Sequence, residues 1–227
     1  MDLVRDINCV ITIVEYPQAE KVKEIATHHH CGGNYTIFAK GTISNRLSNF
    51  LGIEHDRRQL VITILQDKYT DDFMDELSQK LKFENPGHGI ALSIPINRLA
   101  AQNKQVRRSE TRKEEETMNN SLIITIVDYK DADTIIKAAR QAGAIGATIV
   151  KGHGTAGDQI PKLLGFHIEP EKELVFMVVE STIEEQIISA IKEVGLTNQA
   201  IKPVVFSLDV KRVSGIMSQE MVDKLVL

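Results

Sequence analysis

The sequence predicts an α+β protein of two tandem ferredoxin-like domains, each with the element order βαββαβ. Two observations predict this fold class. The segment ITIVEY at 11–16 recurs as ITIVDY at 124–129, and each copy then runs through strand-like and helix-like segments in the same order. The predicted boundaries are 1–100 for the first domain, 101–120 for a linker, and 121–227 for the second domain with a C-terminal tail.

The two copies stay in register along most of their length. The offset is 113 residues (124 − 11), and one inserted residue later raises it to 114. Glycines and strand-like runs recur together, which chance explains poorly. The matching pairs include Gly33 with Gly146, Gly41-Thr42 with Gly154-Thr155, Leu51-Gly52 with Leu164-Gly165, Leu60 with Leu174, and Arg98 with Arg212.

In the first copy, β-branched runs and amphipathic segments predict four strands and two helices. The strands are expected near 8–15, 34–40, 59–66 and 89–97, and the helices near 17–30 and 70–83. The second copy repeats this pattern. Its strands are expected at 121–129, 147–152, 172–180 and 202–210, and its helices at 131–143 and 181–195.

Capping residues set the predicted ends of the second copy's helices. Gly143 and Gly195 follow apolar-periodic segments as C-caps, and Ser181 with Glu184 forms a capping box at the start of the second helix. Between the copies, residues 101–120 are polar, rich in charge and without apolar periodicity. They are predicted to form a linker or a solvated helical connection.

Composition argues against several functional classes. The net charge is −4, the pI is near 6.0, aromatic residues make up 5% and tryptophan is absent, so we expect no nucleic-acid partner. Cys9 and Cys31 form no CxxC motif and suit a reducing compartment. The apolar run at 174–179 is too short to span a bilayer and the N-terminus lacks a signal-peptide core, so we expect a cytoplasmic protein.

Glycine-containing loops are the candidate binding elements. The stretch KGHGTAG begins at Lys151 and opens a long loop before the next strand, Gly41-Thr42 lies at the same place in the first copy, and Gly87-His88-Gly89 precedes that copy's last strand. Glycine backbone can approach a ligand closely and turn consecutive N–H groups toward an anion. The alternative is a flexible turn without a ligand.

Three segments resemble the PII nitrogen-regulatory signal proteins, which are trimers of a ferredoxin-like domain. Residues 151–154 (KGHG) look like the opening of that family's long T-loop. Residues 87–92 (GHGIAL) are similar to its phosphate-binding B-loop, and 208–213 (LDVKRV) to its last strand, with 94–99 (IPINRL) as a weaker twin. The sequence departs from the family where Ile90 replaces a phosphate-binding lysine, and where 196–202 (LTNQAIK) contains no glycine pair.

The resemblance implies a nucleotide site and a set of partners. The effector would be ATP, ADP, AMP or a cyclic dinucleotide, no cofactor would be required, and three chains would form a homo-oligomer. The partner would be a membrane transporter or a metabolic enzyme. The residues implied for nucleotide binding are Gly33, Gly41, Thr42, Gly87, Gly89, Arg98, Gly146, Lys151, Gly152, Gly154, Thr155 and Arg212.

Leu164 and Phe166 are predicted to dock a partner. Leu51-Gly52-Ile53 and Leu164-Gly165-Phe166 place large apolar residues at the same point of both long loops. Such residues need a burial site, either on another protein or on the domain itself. In the resembled family the long loop docks on transporters and enzymes, which favours the first of these alternatives.

A metal centre and an enzyme are weaker interpretations. Residues 28–31 (HHHC) contain good zinc ligands, but adjacent helical residues point some 100° apart, so a helix terminus is favoured over a metal site. No nucleophile with a base and an orienting group is apparent, so no catalytic residues are proposed. The sequence therefore predicts a PII-like signal-transduction protein that senses a small effector at clefts between domains and regulates a partner through long loops. The alternative is a structural, interaction or metal-tolerance protein of related trimeric fold that binds no nucleotide.

Overall fold

A computed structural model describes residues 7–31, 34–42, 56–85, 87–96, 98–101, 104–107, 118–153, 162–163, 166–167 and 171–216. The first repeat contains β1 (Ile7–Glu15), α1 (Ala19–His28), β2 (Asn34–Gly41), β3 (Asp56–Gln66), α2 (Asp67–Leu81) and β4 (Gly89–Ile96). A short hairpin follows, formed by β5 (Arg98–Ala101) and β6 (Lys104–Arg107). Part of the predicted linker is therefore strand, which its polar sequence did not indicate.

The second repeat contains β7 (Asn120–Asp128), α3 (Ala132–Gln141), β8 (Thr148–His153), β9 (Lys162–Leu163), β10 (Phe166–His167), β11 (Glu171–Glu180), α4 (Glu184–Thr197), β12 (Val204–Val210) and β13 (Arg212–Ser214). A 3-10 turn precedes α1 at Tyr16–Gln18, and another precedes α4 at Ser181–Ile183. Among the described residues, no helix combines the length and the apolar character that crossing a bilayer requires.

The described residues form two compact units. The first unit draws them from the ranges 1–38, 56–120 and 209–227, and the second from 39–55 and 121–208. The strand order is β2-β3-β1-β4-β13 in the first unit and β12-β7-β11-β8 in the second. The last residues of β2, Ala39–Gly41, belong to the second unit and pair with β8.

Within each repeat, the four main strands thus follow the order 4-1-3-2, with the first strand between the fourth and the third. This order, together with the βαββαβ sequence of elements, confirms the predicted α+β fold of two ferredoxin-like units. The sequence repeats and the structural units differ in two segments, because 39–41 pair in the second unit and 212–214 pair in the first.

Each unit has its own apolar core between the helices and one face of the sheet. In the first unit, Phe73, Met74 and Leu77 of α2 are fully buried against alternate residues of β1 and β3. In the second unit, Ile135 of α3 and Ile191 of α4 pack with β7 and β11. Burial of each such side chain stabilises its unit by about 1.5–3 kcal/mol relative to exposure.

Two of the predicted caps in the second repeat are wrong. Ser181 lies in the 3-10 turn and α4 begins at Glu184, whose carboxylate accepts hydrogen bonds from the hydroxyls of Ser121 and Ser207 instead of closing a capping box. These hydroxyls come from β7 and β12, so the Glu184 carboxylate binds residues of neighbouring strands instead of capping its own helix. The helix also continues past Gly195 to Thr197. The C-cap of α3 is Ala142, and the predicted cap Gly143 is the next residue, with the positive φ of +104° that glycine favours there.

Candidate effector-binding site

The predicted nucleotide-binding residues fall in both units. The first unit contains Gly87, Gly89 and Arg212, and the second contains Gly41, Thr42, Gly146, Lys151 and Gly152. Arg98 lies in β5 and Phe166 in β10. The other predicted residues, Gly33, Gly154, Thr155 and Leu164, lie outside the described residues.

Gly87 forms an open turn before β4. Its φ is +84°, a conformation that favours glycine, and a side chain added there would meet no atom within 4 Å. Its carbonyl oxygen accepts a hydrogen bond of 2.7 Å from Nη1 of Arg58. The turn therefore leaves open the space that a side chain at Gly87 would occupy, and the Arg58 guanidinium fixes the position of its carbonyl oxygen.

Gly89 has the opposite environment. A methyl group at Gly89 would lie 2.8 Å from the carbonyl oxygen of Ile13 and from Cε1 of Phe83, and 2.9 Å from Cγ1 of Val14. The backbone of Gly215, just after β13, packs so closely on the carbonyl of Gly89 that a side chain at Gly215 would overlap it. Gly89 is thus required by packing, while Gly87 is the member of the pair that a ligand could approach.

Arg58 is a candidate site residue that the sequence analysis missed. Its side chain is buried, with 7% relative exposure, and Nη2 lies 3.9 Å from the carboxylate of Glu15, opposite Arg58 in the β1–β3 register. A buried cation is held in place by such partners because the loss of hydration must be offset. The sequence signal that could have identified it is a cation at the matching place in the second copy, Lys172.

Arg212 is held by carboxylates. It lies in β13, which pairs with β4, and its guanidinium binds Asp71 at 3.0 Å and also Asp75, both on α2. Burial lowers the pKa of Arg212, but the hydrogen bonds that the guanidinium donates to the carboxylates of Asp75 and Asp71 outweigh that effect and raise the pKa overall. In the first unit, the ion pairs of Arg212 therefore join β13 to α2.

Thr42 holds the end of β2 in the second unit. Its Oγ1 donates to the carbonyl of Ala147 at 2.7 Å and accepts from the Ala147 N–H at 3.2 Å, while Arg140 donates to the Thr42 carbonyl. The hydroxyl is buried and satisfied by backbone. Its contacts are those of a structural anchor beside Gly146.

Lys151 and Gly152 lie on β8, opposite Glu173 and Lys172 of β11. The Lys151 ammonium lies 4.7 Å from the ring centroid of Tyr129, and the Lys130 ammonium lies 5.5 Å from the same centroid. Both distances suit cation–π interactions. The second unit thus presents two lysines on one half-exposed tyrosine.

The first unit presents an exposed aromatic pair at the matching place. Tyr16 and Phe38 stack with 6.0 Å between ring centroids and 12° between planes, and their exposures are 53% and 71%. This geometry is an offset stack. Low aromatic content predicted no stacking surface, and only the fold brings these two rings together.

The histidine-rich segment forms a helix terminus with structural contacts. His29 Nε2 lies 2.6 Å from the Glu76 carboxylate and its ring packs on Phe73, while Cys31 Sγ accepts from the Asn34 amide. Hydrogen bonds from Lys80 and His29 lower the pKa of Glu76. Within the described ranges, no group of three or more histidine, cysteine, aspartate or glutamate side chains is placed to hold a metal ion.

Burial raises the pKa of the Cys9 thiol from 9.0 to about 11. Because the thiolate is the reactive form, Cys9 should be alkylated at pH 8 about 100-fold more slowly in the folded protein than in the unfolded chain. Iodoacetamide labelling of a Cys31→Ser variant, with and without urea, measures this ratio by mass. Equal rates in the two conditions would contradict the buried environment of Cys9.

Neither protein-family models nor curated proteins match the chain. Solved structures resemble it at low TM-scores. A protein described as a PII-like signalling protein of Thermus thermophilus has a TM-score of 0.29 and 18% identity, over 40% of this chain and 88% of that chain. CPII of Thiomonas intermedia, a nitrogen regulatory PII-like protein solved with ADP, AMP and bicarbonate, has 0.29 and 16%, over 41% and 89%.

A protein of unknown function from Galdieria sulphuraria has a TM-score of 0.31 and 9% identity, over 89% of this chain and 98% of that chain. TM-scores this low establish neither a family nor a function. The fold of the two units follows from their own strand order, and the resemblance to PII proteins is one of sequence motifs alone.

Proposed function

We propose that the chain is a non-catalytic, PII-like regulatory protein of the cytoplasm that binds a small anionic effector, an adenine nucleotide, at its glycine turns. The observation that supports this most directly is the Gly87 turn. It has a positive φ, its outer side is open, and a buried guanidinium binds its carbonyl oxygen. A turn ordered by the protein itself binds an anion without a large loss of chain entropy.

A thermal-shift screen of the full chain tests this function with ATP, ADP, AMP, cyclic dinucleotides and divalent metals. A nucleotide at 100 times its Kd should stabilise the protein by about 2.7 kcal/mol and raise its melting temperature. Adenosine serves as the control without phosphate. No shift with any nucleotide at millimolar concentration would overturn the proposal.

We further propose a homo-oligomer of three chains. The exposed apolar residues Val204, Phe206 and Leu208 alternate along β12 and therefore share one face of the second unit's sheet. An exposed apolar sheet face is typical of a surface that another copy covers. Light scattering should give a mass of three chains at micromolar concentration, and a sharp monomer mass would contradict the assembly.

The long-loop residues Leu164 and Phe166 are proposed to dock a membrane transporter or a metabolic enzyme. An exposed anchor contributes to binding but little to folding, whereas a packed core leucine contributes about 2–5 kcal/mol of stability. The double variant Leu164→Ala/Phe166→Ala should therefore keep the wild-type melting temperature and lose capture of the partner. A strongly lowered melting temperature would instead show that these residues pack on their own unit.

The ion pairs of Arg212 favour the alternative, an interaction protein that binds no nucleotide, because two aspartates occupy its guanidinium. The same thermal-shift screen separates the two functions. A nucleotide-dependent shift supports the sensor, and its absence together with a stable oligomer supports the interaction protein.

A further inference from the structure

The last main strands of the two repeats differ in what lies beside them. β4 has β13 on its outer side, with Val213 opposite Leu92 and Ser214 opposite Ala91. β12 is the matching strand of the second unit. It has β7 on one side, and no strand that the structure describes lies on the other. β12 therefore presents an open row of backbone N–H and C=O groups, with which a further strand can pair.

Side-chain burial shows the same difference between the two strands. At the offset of 114 residues, Leu92 of β4 matches Phe206 of β12. Leu92 is fully buried, whereas Phe206 is 42% exposed and Val204 and Leu208, on the same face of β12, are exposed as well. Apolar side chains exposed along an edge strand are typical of a surface that another chain covers.

The segment of the first repeat that matches β13 is β5. At the same offset, residues 98–100 (RLA) match 212–214 (RVS), and each segment follows the last main strand of its repeat after a single residue. β13 pairs within the main sheet, but β5 pairs with β6 in a separate sheet of two strands. Because an isolated hairpin is only marginally stable in water, β5 gains stability when a larger sheet adds to its other edge.

Charge complementarity connects β5 with the second unit. The guanidinium of Arg212, in β13, binds the Asp71 carboxylate of α2 at 3.0 Å. At the offset of 114, Asp71 matches Glu185, which is exposed in the first turn of α4. A strand added to β12 in the register that β13 takes on β4 would bring Arg98 to Glu185. The repeat therefore predicts an ion pair as well as a backbone partner for β5.

We infer that β5 of one chain pairs antiparallel with β12 of a second copy of this chain. The register is that of β13 on β4, with Arg98 opposite Ser207, Leu99 opposite Phe206 and Ala100 opposite Val205. Within one chain, β5 is separate from the main sheet and β12 is open among the described strands, so the two meet between chains. Each chain has one such strand and one such edge, so these contacts can close a ring. This inference rests on the proposed oligomer of three chains, since it assigns the surfaces that join them.

Disulfide cross-linking between chains tests the pairing. Leu99→Cys and Phe206→Cys are introduced into separate Cys31→Ser chains, one of them tagged, and the two chains are co-expressed. Opposite residues of an antiparallel pair lie about 4.5–5.5 Å apart between Cα atoms, a distance that a disulfide spans. Mild oxidation should therefore link one tagged to one untagged chain. Leu208→Cys in place of Phe206→Cys is the control. It lies two residues out of register, about 7–8 Å away, and should link far less.

An exchange of charges tests the register without a cross-link. Arg98→Glu and Glu185→Arg each place like charges together, so each should raise the concentration at which the oligomer dissociates about 10-fold. The double variant restores an ion pair and should dissociate as the wild type does. Glu193→Arg makes the same charge change at another exposed position of α4 and should have no effect. Light scattering over a dilution series measures dissociation, and the melting temperature checks that each variant is folded.

The outcomes separate this inference from the proposed assembly. A linked pair of chains, with recovery in the double charge variant, supports the pairing of β5 with β12. A disulfide that forms only within single chains carrying both cysteines would overturn it, because β5 would then cover β12 of its own chain. A mass of three chains without any cross-link would overturn the strand pairing and leave the assembly intact. A monomer mass for the wild type at micromolar concentration would overturn both. Nucleotide binding is measured separately by the thermal-shift screen.

Discussion

Gly89→Ala should destabilise the first unit by about 2–5 kcal/mol, because the added methyl group combines overpacking with backbone strain. At a φ of +148° the methyl would lie within 3 Å of the Ile13 carbonyl oxygen, of Phe83 and of Val14. Rotation of a side chain cannot relieve these contacts, because one is to a backbone oxygen and the other two are to the buried side chains of Phe83 and Val14. Urea denaturation followed by circular dichroism measures the change in free energy of unfolding.

Gly87→Ala is the matched control for this prediction. Its φ is also positive, but the space around its α-carbon is open, so only the backbone cost of about 1–2 kcal/mol is expected. The same variant also tests the proposed effector site, because its methyl group would occupy the open space at Gly87 that a ligand would approach. Equal destabilisation by the two substitutions would contradict the different environments of the two glycines.

Truncation after Val210 should destabilise the first unit by about 2–4 kcal/mol, from lost strand hydrogen bonds and ion pairs. The deletion removes β13 with its three register pairs to β4, and also Lys211, which binds Asp67 at 2.8 Å. It further leaves β4 as an open edge, which favours aggregation. Melting curves and light scattering of the purified protein measure both effects.

Truncation after Ile216 is the control, since it keeps β13, Lys211 and Arg212. Its melting temperature should stay close to that of the full chain. If both truncations melt alike, β13 does not stabilise the first unit and the strand order at that edge is wrong.

The fold class was predictable because each element has a strong local signal that the duplication repeats. The buried run of β7 and the amphipathic pattern of α3 appear twice at a fixed offset, so weak evidence in one copy is reinforced by the other. The helix starts were less predictable. At Glu184, hydroxyls from two strands replace the local cap, and such contacts cannot be read from neighbouring residues.

The candidate site was only partly predictable. The glycine pair before β4 is visible as a motif, but the sequence does not show that Gly87 is open while Gly89 is packed. Arg58 lies far from Gly87 along the chain and meets it only through the register of β1, β3 and β4. The stacking of Tyr16 on Phe38 likewise depends on the tertiary arrangement.

The position of β13 has a consequence for protein synthesis. The first repeat leaves the ribosome with β4 unpaired on one side, and its partner strand, Arg212–Ser214, is made only after the whole second repeat. At about 5–20 residues per second, that interval lasts roughly ten seconds. During this time the nascent first unit presents a free strand edge, which other chains can pair with before β13 covers it.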